Sequence, residues 1–220
     1  MEPLQKIHAP EKMEIPPTQA HNRRSALRDK ANRAKKFRCK TFIIVLENPA
    51  NYQNIGTVIR NIDALGAGKL YIVDTRNVVP NDWQQMRNSS GLMNTSSSAV
   101  KWTFCKKFTS TDECFNHLEK NGFVSLVTSP HIKGANNINL DDAQFTKYRK
   151  LAVWFGNEST GITDNAIARS SGCLQIDMCG IIESLNLAVC TGIVINKVTT
   201  QRRKWFAEKQ KNKSTVHIEL

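Results

Sequence analysis

Three short stretches of this 220-residue chain hold side chains with chemistry to offer. The first places Asn54 and Arg60 six residues apart, a carboxamide and then a guanidinium. The second is Phe155-Gly156-Asn157-Glu158-Ser159-Thr160-Gly161, in which two glycines bracket a carboxylate. Glycines at the end of a strand let the backbone come close to a ligand. The third is Ile176-Asp177-Met178-Cys179-Gly180-Ile181-Ile182-Glu183-Ser184-Leu185-Asn186, a polar turn leading into a run of small apolar residues. Each has a plain structural alternative. Asn54 is well placed as a helix N-cap and Arg60 as a solvated arginine, while Ser184 or Glu183 could simply open the last helix. The second stretch could be only a strand-to-helix turn with Thr163 as the next cap.

The elements around these stretches follow from apolar patterning. Residues 41–46, 69–74, 100–105, 123–128, 151–155 and 173–178 read as strands. Their apolarity is continuous, which suits strands buried on both faces. Ile55, Val58, Ile59, Ile62 and Leu65 recur at helical spacing and put Arg60 on the opposite face. Helices also fit near 111–121 and 163–170, and a long one from about 184 into the C-terminal basic segment. Strands alternating with helices predict an α/β fold with a mostly parallel sheet. Such sheets bind ligands beyond the carboxyl ends of their strands. The turn after the first strand, ENPANYQNIG, has neither a GxGxxG nor a GxxxxGK[ST] pattern, which argues against a Rossmann dinucleotide site and a P-loop.

The charge is uneven. Residues 23–40 hold nine basic residues against Asp29, and residues 201–213 hold six against Glu208. Residues 41–200 hold 14 basic and 13 acidic residues, so the excess lies in two flanks suited to a polyanion. Solubilising tails or a membrane-surface contact are the bland alternatives. Neither flank has a dense aromatic apolar face, which weakens the membrane option. The chain divides into a Pro-containing tail and basic extension (1–40), a central domain (41–200) and a basic C-terminal helix and tail (201–220). The first 20 residues hold four prolines and no apolar h-region, which argues against a secretory signal, and no run is long enough to span a membrane. The six cysteines form no CxxC pair and no zinc-type cluster with histidine, so a reducing, intracellular setting without a structural metal is expected.

Taken in order, the three stretches resemble the three motifs of the SpoU (TrmH-like) RNA 2'-O-ribose methyltransferases of the SPOUT superfamily, over residues 41–200. Asn54 and Arg60 match the first motif, Phe155 to Gly161 the FGxExxG pattern of the second, and Ser184-Leu185-Asn186 the SLN of the third. Asp177 stands where the family usually has a proline, which stiffens the entry to that loop.

The resemblance implies an α/β fold with a deep C-terminal trefoil knot, whose loops bind S-adenosylmethionine largely through backbone at Thr128, Gly156, Ile176 and Leu185. It implies transfer of the methyl group to a ribose 2'-OH, in a guanosine or another nucleoside, with Arg60 helping to remove the proton or hold the developing alkoxide. Asn54, Glu158, Ser184 and Asn186 would position Arg60, the RNA and the pocket loops. No metal is required. A cytoplasmic homodimer is implied, with Arg60 supplied near the partner's pocket. Only 40 residues precede the first strand, which favours tRNA over ribosomal RNA as substrate. A non-catalytic RNA-binding protein on the same fold and a base methyltransferase are the rival readings.

Overall fold

The computed structural model describes residues 20–134 and 136–216; the expected N-terminal tail falls largely outside them. Among the described residues, those up to Lys36 and those from Phe37 onward form separate compact units. In the first, the sequence AHNRRSALRDKANRAKKF forms α1 (Ala20–Phe37). The basic extension is thus helical from Ala20 to Phe37.

The second unit is built on seven strands. These are β1 (Cys39–Glu47), β2 (Ala67–Val73), β3 (Phe104–Phe108), β4 (Val124–Thr128), β5 (Asn137–Asn139), β6 (Leu151–Phe155) and β7 (Cys173–Gln175). They lie in the order β3-β2-β1-β6-β4-β7-β5, and every pairing is parallel. Parallel neighbours need crossover segments, and helices supply most of them. Side chains alternate along β1. Phe42, Ile44 and Leu46 face one layer, with Ile55, Val58, Ile59 and Ile62 of α2 (Tyr52–Leu65) and Leu187, Val194 and Val198 of the last helix. Ile43 and Val45 face the other, with Phe115 and Leu118 of α5 (Thr111–Lys120) and Ala166 of α6 (Asp164–Arg169). The continuous apolar run of β1 is therefore two interleaved faces, each covered by helices.

Several boundaries differ from expectation. Val100 and Lys101 lie in a 3₁₀ turn (Ala99–Lys101), and β3 begins only at Phe104, which pairs with Lys69. Left-handed φ values at Ser97 and Ser98 turn the chain before it can pair. The strand expected over 173–178 stops at Gln175, because its pairing to the short β5 ends there. β5 itself has too few apolar residues to announce a strand. Two six-residue helices, α3 (Trp83–Asn88) and α4 (Ser90–Thr95), were not signalled by periodicity; caps at Asp82 and Ser89 start them.

The last helix, α7 (Leu187–Val216), packs on α2 and carries the C-terminal basic segment without a break at residue 200. Two arginines counted among the flanking charges serve the fold instead. Arg202 is buried: its Nη1 donates to the Thr41 carbonyl (3.2 Å) and Oγ1 (3.1 Å), and its Nη2 to the Tyr148 carbonyl (2.7 Å). Arg38 donates to Asp63 and to the Trp102 carbonyl. Removing Arg202 strands two carbonyls beside β1, so Arg202→Ala should lower unfolding stability by about 3 kcal/mol in urea titrations. An unchanged midpoint and slope would show that Arg202 does not pin α7 to the sheet.

Candidate functional site

Four strands, β1, β4, β6 and β7, end on the same side of the sheet, and the loops that leave them enclose a cavity of about 580 Å³. Its lining includes Asn54, Thr128, Gly156, Glu158, Ile176, Ser184, Leu185 and Asn186, which are all the residues given a catalytic or cofactor-binding role above except Arg60. The three stretches thus converge although up to 132 positions separate their members.

The hairpin after β6 is built around two glycines. Asn157 and Gly161 exchange backbone hydrogen bonds of 3.0 and 2.9 Å, with Gly161 at φ +71°. The returning chain then passes so close that a Cβ on Gly156 would lie 2.1 Å from the Gly161 carbonyl carbon and 2.2 Å from the Ile162 nitrogen. Only glycine fits there. The Asn157 side chain closes the turn by accepting from Ser159 and Thr160 amides, and its Nδ2 ties the hairpin to the Asn48 carbonyl at 2.7 Å. This leaves Glu158 projecting toward the β1–α2 turn.

Asn54 is not the N-cap of α2. Asn51 takes that role, its Oδ1 accepting from Gln53 and Asn54 amides, because the helix starts nearly a turn earlier than expected. The Asn54 side chain is thereby free to bridge. Its Nδ2 donates to Glu158 Oε1 at 2.9 Å, and its Oδ1 accepts from Asn186 Nδ2 at 3.1 Å. Asn186 Oδ1 accepts from the Ala188 and Val189 amides at 2.8 and 3.4 Å. Asn186 is therefore the residue that caps α7, and neither Glu183 nor Ser184 opens it. Glu158 also accepts from the Ala50 amide (2.8 Å) and the Asn51 amide (3.1 Å). Partial burial alone would raise its pKa, but these amide and carboxamide donors outweigh that and hold the carboxyl below its ordinary value.

The remaining residues form walls. Phe155, Ile162, Leu174, Ile176, Leu187 and Val194 supply an apolar side, with Cys190, whose thiol burial pushes up to about 11. Thr128 spends its hydroxyl on the Trp154 carbonyl (2.9 Å), so its side chain is committed within the sheet. Ser184 and Leu185 are exposed at the rim, within a segment, 179–186, that is exposed throughout. Arg60 is exposed on α2 and stays outside this cavity. Below the site, buried Glu47 accepts from Thr111 Oγ1 (2.5 Å), Thr163 Oγ1 (2.8 Å) and the Thr163 amide (2.9 Å), joining the end of β1 to the starts of α5 and α6. Asn51, His131 and Lys133 also line the cavity. No motif marked them; the position of the SPHIKG segment just after β4, on the ligand-binding side of the sheet, was the available signal. Among the described residues no group of three His, Cys, Asp or Glu side chains is placed to hold a metal ion.

Glu158→Gln sets an NH2 group against converging N–H donors and removes the charge they stabilise. A carboxyl with a lowered folded pKa stabilises the fold above its unfolded value, and this contribution is lost as pH falls through the folded one. The variant should melt several degrees below the wild type at neutral pH, and the gap should close below about pH 4. A gap that does not change with pH would show that the carboxylate charge is not what holds the hairpin.

Known proteins resemble this chain in sequence and in fold. The SpoU rRNA Methylase family matches residues 41–196. A tRNA (guanosine(18)-2'-O)-methyltransferase of Thermus thermophilus is 27% identical over 161 residues, 73% of this chain and 75% of the relative. The A. aeolicus TrmH/SpoU tRNA modifying enzyme superposes with a TM-score of 0.66 at 22% identity, covering 81% of this chain and 85% of that one. The SpoU methyltransferase AviRb from Streptomyces viridochromogenes, solved with its cofactor AdoMet, superposes with a TM-score of 0.62 at 20% identity over 74% and 60%. With its three motifs gathered around one cavity on this sheet, the chain belongs to the SpoU methylase family.

Proposed function

We propose that the protein transfers a methyl group from S-adenosylmethionine to a ribose 2'-OH of RNA, with tRNA the favoured substrate and guanosine the first nucleoside to test. The observation that carries this reading is the meeting of the three motif stretches in one cavity through the Glu158–Asn54–Asn186 bonds. The family membership and the tRNA methyltransferases among its relatives support it.

The cavity fits the cofactor. Its volume lies in the usual range for small-molecule sites, and it pairs an apolar wall with a rim of hydroxyls and backbone. Gly156, Ile176 and Leu185, with the backbone of Thr128, would hold it. When bound, it supplies a methyl group on a sulfonium. The chain's own work is to bring up the 2'-OH and handle its proton. A hydroxyl is a weak nucleophile near neutral pH, so a cation beside the developing alkoxide lowers the barrier. Arg60 is assigned that task; arginine is a poor base in water, so an RNA phosphate shares it. Glu158, Asn54 and Asn186 hold the loops in register, and Ser184 contacts RNA or cofactor at the rim.

Because Arg60 stands off the cavity of its own chain, the complete site needs a second copy. An exposed apolar stripe, Ile182, Leu185, Val189 and Ile193, runs from the cavity rim along α7 and suits such a contact. The knotted threading and a cytoplasmic location belong to the same reading; no described helix is long and apolar enough to cross a membrane. The basic flanks supply phosphate contacts, less Arg38 and Arg202, which are engaged within the fold.

Arg60→Ala should cut methyl transfer to a tRNA transcript by about a hundredfold or more, read as 2'-O-methylnucleoside by mass spectrometry. S-adenosylmethionine affinity should stay near the wild-type value. A folded variant with near-normal turnover would remove Arg60 from the mechanism.

A further inference from the structure

The cofactor assigned above carries an amino-acid end with a carboxylate, and the apolar wall of the cavity has nothing to offer it. Apart from the Cys190 thiol, four ionisable side chains line the cavity: His131, Lys133, Glu158 and Glu183. Glu158 is of the wrong sign and its oxygens are taken by Ala50, Asn51 and Asn54. Glu183 is also of the wrong sign. The cationic side chain among them is therefore Lys133, on the connection between β4 and β5.

Residues 129–133 of that connection are held in place. The Ser129 amide donates to the Leu174 carbonyl (3.1 Å), and Gln175 Nε2 donates to the Pro130 carbonyl (2.8 Å), fastening it to β7. The His131 amide donates to Ser129 Oγ (3.1 Å), and the Lys133 amide donates to Asn137 Oδ1 (2.9 Å). Among the described residues the Lys133 ammonium makes no ion pair. A fixed main chain carrying an uncommitted point charge at the mouth of a ligand cavity is suited to an anion.

We propose that Lys133 binds the α-carboxylate of S-adenosylmethionine, so that the β4–β5 connection selects ligands that carry the amino-acid tail. This assignment rests on the cofactor reading above. Its test is calorimetric titration of wild type, Lys133→Ala and Lys133→Arg with S-adenosylmethionine, S-adenosylhomocysteine and 5'-methylthioadenosine, which lacks the amino acid.

Losing one charge-assisted contact at a partly solvated site should weaken the first two ligands about tenfold in Lys133→Ala and leave 5'-methylthioadenosine unchanged. Lys133→Arg keeps the charge and should recover most of the loss. Equal weakening of all three ligands, or of none, would overturn the assignment. So would RNA binding that falls in Lys133→Ala while S-adenosylmethionine binding holds, since the contact would then be to a phosphate. A wild-type protein that binds none of the three would instead overturn the cofactor reading beneath it.

Discussion

A carboxylate accepts hydrogen bonds and never donates them. Glu158 imposes that one-way rule on the site. Facing it, Asn54 must present its NH2 and is left with an oxygen on its far side. Asn186 must then present its NH2 to that oxygen and turn its own oxygen to the first amides of α7. The polarity of two carboxamides, each of which could otherwise flip, is set from one end by a charge and from the other by a helix terminus. Three loops that leave different strands are fixed relative to one another by this chain of bonds. The ligand cavity is the space they leave.

The sheet beneath makes the arrangement possible. Parallel strands put all their carboxyl ends on one edge, so residues far apart in sequence emerge side by side. Glu47 and Asn157 then fasten the loop bases, the first to α5 and α6, the second to the turn after β1. Glycine at 156 lets the hairpin fold back far enough for Glu158 to reach across.

Much of this was legible in the sequence. Apolar runs located β1, β2, β4 and β6, and the residues assigned catalytic or cofactor-binding roles, other than Arg60, do line one cavity. What escaped has physical causes. β5 and the end of β7 depend on pairing partners rather than on their own composition. Asn54 carries the right residue type for a cap, but Asn51, three residues earlier, competes for the same helix start and wins. The flanking charge could be counted but not assigned: Arg38 and Arg202 belong to the fold, because burial beside Asp63 and beside the Thr41 and Tyr148 carbonyls is invisible in composition. Arg60 is exposed and outside the cavity, as a residue serving a second copy's site would be.

The central claim is that Glu158, Asn54 and Asn186 act as one unit in shaping the cavity. A double-mutant cycle tests it directly, with Asn54→Ala, Asn186→Ala and the double variant titrated against S-adenosylmethionine. If the carboxamides form a single chain, the first substitution already breaks it. The double variant should then lose little more affinity than the worse single one, with a coupling of about 1 kcal/mol or more. Losses that simply add would mean that each residue holds its own loop independently and that the cavity does not depend on the chain between them.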